Sequence, residues 1–325
     1  MAVSNVYPDD RLRIALGMPF YFLSSQVRHT DQTLGQILRG TKNWWSVLFL
    51  FFGVIKYATI SYKNGVEVRA TKKDLGRLVS LAEFANLPER QKRKLEISVS
   101  GKYARMKVGN RILKLDIEVA NPVAIELSTR EHSMIDVSGR DVVDIGAYVD
   151  DTAIYYLLYG RARRVYAFEP FPYMYETGVR NVRANNLDGR IKTFNMAVAG
   201  KTGSVSLDSE YTSFGLVGSR QSARRGGKVR VVSLDSIVKS LKIRHGALKV
   251  DCEGCEYDIF RHASSKALRS FDAIHIEYHY GYADVVDRLK KEGFRVSYTS
   301  PVYNFRGLGE RPMLNGHIVA TRARS

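Results

Sequence analysis

The residues best suited to chemistry stand at the ends of apolar runs. Asp144 closes the run begun by Val142 and Val143, and Glu169 follows Val165–Phe168, 25 positions after Asp144. Asp251 and Glu253 follow Ala247–Val250, and Glu277 and His279 follow Asp272–Ile276. A carboxylate at a strand end can accept hydrogen bonds from ligand hydroxyls or face a cation. Two carboxylates and an imidazole can move a proton or hold a divalent metal. Glu277 and His279 are two residues apart, so on a strand they point the same way. For His279 the alternative is a partly buried hydrogen-bonding residue.

Such residues need a scaffold that gathers strand ends at one edge. Asp141–Pro170 reads as strand, tight turn, buried helix and second strand. Val142, Val143 and Ile145 form a short apolar run, as expected for a parallel strand covered on both faces. Gly146 allows a sharp turn close to a ligand. Thr152–Tyr159 is almost wholly apolar, as a helix buried on most sides would be. Further strands are expected at 191–194, 247–250, 272–276, 294–298 and 317–320, with helices over 173–186 and 283–291 and a short N-capped helix starting at Ser233. Strands alternating with helices predict an α/β fold, a doubly wound seven-stranded sheet of the Rossmann-like class I methyltransferase type. Ligands on such sheets bind beyond the carboxyl ends of the strands.

The charges select among ligands. A dinucleotide site would show G-x-G-x-x-G. This chain has Gly146 alone, with acids at Asp144, Asp150 and Asp151 that would repel a pyrophosphate. No G-K-[ST] follows the strand either. S-adenosylmethionine suits the site better, since its sulfonium and ammonium attract acids and it carries no phosphate. Glu169 would then accept from the ribose hydroxyls, the role that an acid about 20 residues on plays in dinucleotide folds.

The motifs DIGA at 144–147, YAFEP at 166–170, Asn181 with Asn185, NMAV at 195–198, VVSLD at 231–235 and LKVDCEGCEYDIF at 248–260 resemble the FkbM family of methyltransferases. The resemblance covers about residues 135–300. It implies S-adenosylmethionine as methyl donor and, usually, O-methylation of a hydroxyl on a sugar, glycan or lipid-linked acceptor. By position it implies a cofactor-binding set of Asp144, Gly146, Ala147, Asp151, Glu169, Asn195 and Ala197; the candidate chemical set, read from the fourth and fifth strand ends, is Asp251, Glu253, Glu277 and His279. No dedicated metal ligands are assigned, although the chemical set could take a divalent ion. The family loop usually runs D-I-G-A-x-x-G-D, and here Asp150 replaces its second glycine. That adds bulk and charge next to the cofactor and motivates a third reading, a non-catalytic binding protein. After the fourth strand the chain reads D-C-E-G, not N-P-P-Y or D-P-P-Y, which excludes the base-amino methyltransferase pattern.

Residues 1–130 are expected to form an α+β region for substrate or partner contacts, and 131–325 the methyltransferase domain. In the first region a hairpin turns at Asn64-Gly65, a helix spans Lys72–Asn86, charged residues from Glu89 to Lys94 form a bridge, and a second hairpin turns near Gly109-Asn110. Trp44–Ile55 is the most apolar run. Its twelve residues fall short of the roughly 20 of a spanning helix. It reads as a core helix, with a peripheral membrane segment as the alternative.

The 325-residue chain carries 50 Lys and Arg against 33 Asp and Glu, a net charge of +17. That excess suits an anionic partner and keeps tRNA or rRNA methylation as the alternative function, with the basic run Arg220, Arg224, Arg225, Lys228 and Arg230 on the RNA. Cys252 and Cys255 are the only cysteines. They make half of a typical zinc site and no disulfide framework, and read as small residues flanking a functional loop in a reducing compartment. With no signal-peptide layout at the N-terminus, the expected location is cytoplasmic, peripheral to membrane if Trp44–Ile55 is interfacial. Oligomeric state has no sequence signal.

Overall fold

The structure, a computed structural model, describes residues 5–7, 38–63, 65, 67–71, 98–100, 103–108, 110–116, 131–206, 227–304 and 313–322. The Lys72–Asn86 helix, the Glu89–Lys94 bridge and Arg220–Arg225 lie outside these residues. The chain divides into one unit of residues 24–131 and another of 132–325 with 1–23.

In the first unit, helix α1 (Trp44–Phe52) precedes an antiparallel hairpin of β1 (Tyr57–Ser61) and β2 (Glu67–Thr71). Alternation buries Ile60, Val68 and Ala70 and leaves their neighbours exposed or half-buried. Asn43 fixes α1 to β1: its amide donates to the Thr59 carbonyl at 2.7 Å and its carbonyl accepts from the Ser61 N–H at 2.8 Å. A second antiparallel set joins β3 (Ser98–Ser100), β4 (Tyr103–Val108) and β5 (Arg111–Asp116), with Val108 of β4 paired to Arg111 of β5. The core-helix reading of Trp44–Ile55 is corrected in one respect. The helix forms, but it buries only Val47 and Leu50.

The second unit is built on β6 (Asp141–Ile145), α2 (Asp151–Leu158), β7 (Arg164–Phe168), α3 (Pro172–Ala184) and β8 (Ile191–Phe194). A small sheet of β9 (Met196–Ala199), β10 (Gly203–Ser206) and β11 (Lys228–Ser233) follows. Then come α4 (Leu234–Leu241), β12 (Gly246–Val250), α5 (Glu256–His262), α6 (Ser265–Leu268), β13 (Phe271–Tyr278), α7 (Ala283–Lys291), β14 (Arg295–Tyr298), β15 (Val302–Asn304) and β16 (Met313–Thr321). The main sheet runs β14-β16-β13-β12-β6-β7-β8, with β15 beside part of β16. β8, β7, β6, β12 and β13 are mutually parallel, and β16 is antiparallel to both neighbours. This is the α/β, doubly wound class I methyltransferase sheet expected from the sequence.

The period of two divides the sheet's faces between stability and chemistry. Val143, Ile145, Leu248, Val250, Ile274 and Ile276 face one side and pack with Ile237, Ile259, Phe260, Val286 and Leu289 from α4, α5 and α7. Each such buried side chain contributes about 1.5–3 kcal/mol. The other face carries a polar row, because Asp144 lies in register with Lys249 and Lys249 with His275. At the sheet's amino edge two ion pairs brace the strands: Arg163 grips Asp141 through 2.8 and 2.7 Å bonds, and Arg140 meets Asp272 at 2.7 Å. The carboxyl edge is left for ligands.

Residues 5–7 strap onto this unit. Val6 is buried in the core, and Tyr7 packs edge-on against Tyr282 and donates to Asp287 at 2.8 Å. The Asn5 carbonyl accepts from the Tyr282 N–H, and its side-chain oxygen accepts from the Asp284 N–H at 2.9 Å, capping α7 from the far end of the chain. Gly281 makes the approach feasible, since a Cβ there would sit 2.2 Å from the Asn5 carbonyl oxygen. Asn5→Ala is expected to lower unfolding free energy by about 1 kcal/mol, the ordinary worth of an N-cap. Denaturant titration at constant m-value would measure it, and an unchanged midpoint would show the strap to be idle.

Candidate functional site

Two loops meet above β6 and β12. After Ile145 the chain turns sharply at Gly146, whose φ of +77° favours glycine. A Cβ at Gly146 would lie 1.7 Å from the Asp251 carbonyl oxygen, so the first loop is seated on the fourth. The N–H groups of Gly146 and Ala147 both donate to the Phe168 carbonyl, and the Asp251 N–H donates to that of Ile145. These bonds fix the two strand-end acids relative to each other.

Lys249 is the residue that sequence reasoning missed. Its ammonium is buried between Asp144 and Asp251, 3.4 Å from an oxygen of each, and donates to the Gly146 carbonyl at 3.1 Å. Burial pulls its pKa down, but the two carboxylates outweigh burial and hold it above the ordinary value. Burial pushes the Asp144 carboxyl up to about 6 against the pull of Lys249. Asp151, the first residue of α2, is also raised by burial and opposed by Lys249. For Asp251 burial raises the pKa, while Lys249 and His279 pull harder and leave it below the usual range. A lysine inside the otherwise apolar run Gly246–Val250 was the available signal.

Glu169 is buried at the end of β7, with both oxygens engaged: one accepts from the Tyr148 N–H and the other from the Phe171 N–H, each at 2.9 Å. Burial lifts its pKa to about 8 in spite of those donors. Asn195 lies close by, but its amide donates to the carbonyls of Glu169 and Pro170 at 3.0 and 2.9 Å, so it braces the loop. Ala197 is buried in β9, paired with Val231 of β11. Asp144, Gly146, Ala147, Asp151 and Glu169 thus converge around the first loop, with Asn195 supporting it and Ala197 set in the small sheet.

Asp150 occupies the left-handed conformation (φ 61°) that the usual glycine would take. Its carboxyl is turned away from the strand edge toward α3 and β8, where the Thr193 hydroxyl donates to it at 2.6 Å. Gly178 makes room, since a Cβ there would stand 2.7 Å from the Asp150 Oδ2. Burial raises the Asp150 pKa well above the carboxylate range. The added bulk is absorbed behind the loop, not beside the ligand.

The second cluster gathers where β12 and β13 end. His279 is 1% exposed, and its Nδ1 donates to Glu256 at 3.0 Å. Its Nε2 faces Asp251 at 3.7 Å, Glu253 at 3.7 Å and Glu277 at 4.0 Å. All four members of the chemical set therefore converge. Glu256 also accepts from the Gly254 N–H at 2.9 Å. The neighbouring Tyr257 hydroxyl accepts from the N–H groups of His279 and Tyr280 and donates to the Gly281 carbonyl. Two consecutive residues of α5 thus hold His279. Burial disfavours its charged form, but the Glu256 hydrogen bond and the Glu256, Asp251 and Glu253 carboxylates prevail and lift its pKa to about 10. Asp251, Glu277 and His279 each offer a ligand atom within 4.8 Å of the others and could hold a metal ion. Glu256 on Nδ1 is the partner a metal-bound imidazole usually has.

One expectation is corrected here. Cys252 and Cys255 are joined in a disulfide, with Cα atoms 5.5 Å apart, inside the loop that carries Glu253 and Gly254 at positive φ. Separation by three residues lets a turn bring the two sulfurs together, and sequence spacing alone did not distinguish that from two separate thiols.

Two tests follow. Gly178→Ala should destabilise the fold by forcing Asp150 out of its niche, and Asp150→Gly should rescue part of the loss. The coupling in a double-mutant cycle is expected at about 0.5–3 kcal/mol, and strict additivity would refute the niche. His279 should remain an imidazolium at pH 8 in ring-nitrogen spectra of the metal-free protein. Its pKa is raised on folding, so its stabilisation is complete below about pH 6.5 and is lost as pH rises through about 10. A ring losing its proton near 6.5 would contradict the geometry.

The sequence profile of the methyltransferase FkbM domain matches residues 144–296. No curated protein matches the chain. Among solved structures the chain is similar to a methyltransferase FkbM from Methylobacillus flagellatus, at 14% identity and a TM-score of 0.41, covering 77% of this chain and 55% of that one. It is also similar to M. jannaschii TYW2 in complex with AdoMet, at 14% identity and a TM-score of 0.37, covering 69% and 87%. A third is M. capricolum TrmK in complex with S-adenosyl-homocysteine, at 12% identity and a TM-score of 0.38, covering 59% and 66%. Profile and sheet topology agree: over residues 144–296 this chain carries the methyltransferase domain of the FkbM family.

Proposed function

We propose that the protein transfers a methyl group from S-adenosylmethionine to a hydroxyl of a sugar, glycan or lipid-linked acceptor. The observation that carries this reading is the Lys249 ammonium shared by Asp144 and Asp251, which ties the expected donor edge to the chemical edge. The residues present fit that cofactor. Buried carboxyl groups at Asp144, Asp151 and Glu169 suit a cationic ligand with ribose hydroxyls, and the first loop has none of the glycine-rich phosphate cradle.

Bound there, S-adenosylmethionine supplies an electrophilic methyl group on a sulfonium. The chain's own residues align the acceptor oxygen and take its proton. Asp251 is the group for the second task, being ionised at neutral pH and partly open to solvent. His279 is protonated at that pH, so it acts by holding the carboxylates in place and not as the base. With the cofactor bound, its sulfur would keep the electron pair of the broken carbon–sulfur bond, the acceptor oxygen would take the methyl group, and Asp251 would receive the hydroxyl proton.

A second reading of the same residues is a divalent ion on Asp251, Glu277 and His279, favoured by the Glu256–His279 hydrogen bond. Such an ion would take the place of the Nε2 proton and acidify the acceptor hydroxyl.

Glu169→Gln should weaken S-adenosylmethionine binding by roughly tenfold in calorimetry, the worth of a hydrogen bond. Asp251→Asn should leave that affinity within about threefold while lowering turnover at least about 100-fold, the usual contribution of a positioned base. Absence of cofactor binding by the unaltered protein would end the proposal.

A further inference from the structure

Helix α1 leaves outside what a core helix would hide. Trp44 and Trp45 are 48% and 49% exposed, Phe49 46% and Phe52 70%, and Val54 and Tyr57 extend the surface beyond the Gly53 cap. The patch is intrinsic to the helix. Val47 and Leu50, three apart, face β1, so Trp45, Phe49 and Phe52 at i, i+4 and i+7 must face away. Trp44 and Trp45 pack edge-to-face, as do Phe51 and Phe52. An exposed aromatic surface of this extent marks an interaction site.

The chain on either side of the helix is basic. No acidic residue occurs between Asp31 and Glu67, an interval that contains Arg39, Lys42, Lys56 and Lys63. All four of these bases are exposed, and Arg69 lies over the Tyr57 ring at 4.5 Å. The nine-residue helix is only about 14 Å long at 1.5 Å per residue, and no helix among the described residues is long and apolar enough to cross a membrane. Tryptophans on a short amphipathic helix ringed by bases have the chemistry of an interfacial segment. The rings sit at headgroup level and the bases meet lipid phosphates and carboxylates.

We propose that α1 is a membrane-docking helix that lays its aromatic face into the headgroup layer of an anionic bilayer. This does not depend on the acceptor of the methyl group. A partner protein would ask for polar complementarity at its rim. The excess of bases over Arg39–Lys63, with Glu67 as an exposed acid beside Lys42 and Trp45, instead matches an anionic surface, each base near it adding about 1 kcal/mol, roughly fivefold in affinity.

The chain contains two tryptophans, and both lie in α1, so intrinsic tryptophan emission reports this helix alone. The full chain would be titrated with vesicles of phosphatidylcholine containing phosphatidylserine, and with phosphatidylcholine alone. Expected are a blue shift of emission, quenching by brominated acyl chains, and binding at least tenfold weaker on the neutral vesicles or at high salt. Phe49→Ser with Phe52→Ser, both at exposed positions, should weaken binding at least tenfold with the unfolding transition unchanged. Lys42→Glu with Lys56→Glu should abolish the preference for anionic lipid. Emission insensitive to vesicles of either composition would overturn the proposal. So would a dimer in sedimentation equilibrium that the phenylalanine variant dissolves, since the patch would then belong to a second copy of the chain.

Discussion

A buried ammonium between two carboxylates is the arrangement on which the catalytic unit turns. Lys249 and Asp144 lie within the sheet, where an unpaired charge costs several kcal/mol, and Asp151 stands at the start of α2 within reach of their field. None of these groups is tolerable in that place without the others. Their mutual attraction recovers the desolvation penalty and holds the ends of β6 and β12 in one geometry. The cost falls on the face of the sheet reserved for ligands, while the opposite face is filled with branched aliphatic side chains that stabilise the fold without polar demands.

From that row outward, charge alternates in a chain of neighbours. Lys249 meets Asp251, Asp251 faces His279, and His279 is held from behind by Glu256. Each cation lowers the cost of the next anion, so the cluster is best understood as a unit with no single decisive member. It explains why the imidazole is a poor base here and why Asp251, flanked by two cations, stays ionised. It also explains the concentration of positioning residues in the short stretch Asp251–Tyr257, where strand end, turn and helix start follow within seven residues.

Much of this was legible in the sequence because it is local. Apolar runs such as Val142–Ile145 and Ala247–Val250, each interrupted by one charged residue, announce covered parallel strands, and Gly146 announces the turn. The acids that close those runs lie where an α/β sheet places its ligands. What was not legible depends on partners distant in the chain. Asp150 read as an intruder in the cofactor loop, since nothing local shows that Gly178 and Thr193 receive its carboxyl. Lys249 read as one more base among fifty, since its significance comes from register with Asp144 on a neighbouring strand. Asn195 carried a family position yet is committed to two backbone carbonyls. The apolar run of α1 gave helix and length correctly but not orientation. Apolar composition alone does not separate a helix that is covered from one that covers something else.

The contact between Gly146 and the Asp251 carbonyl has a mechanical side. With no room for even a methyl group between them, the first and fourth loops form a seam that cannot open without unseating both. The ends of β6 and β12 are therefore held together by the fold itself. Any adaptation of this scaffold to a new acceptor is confined to surfaces beyond the seam.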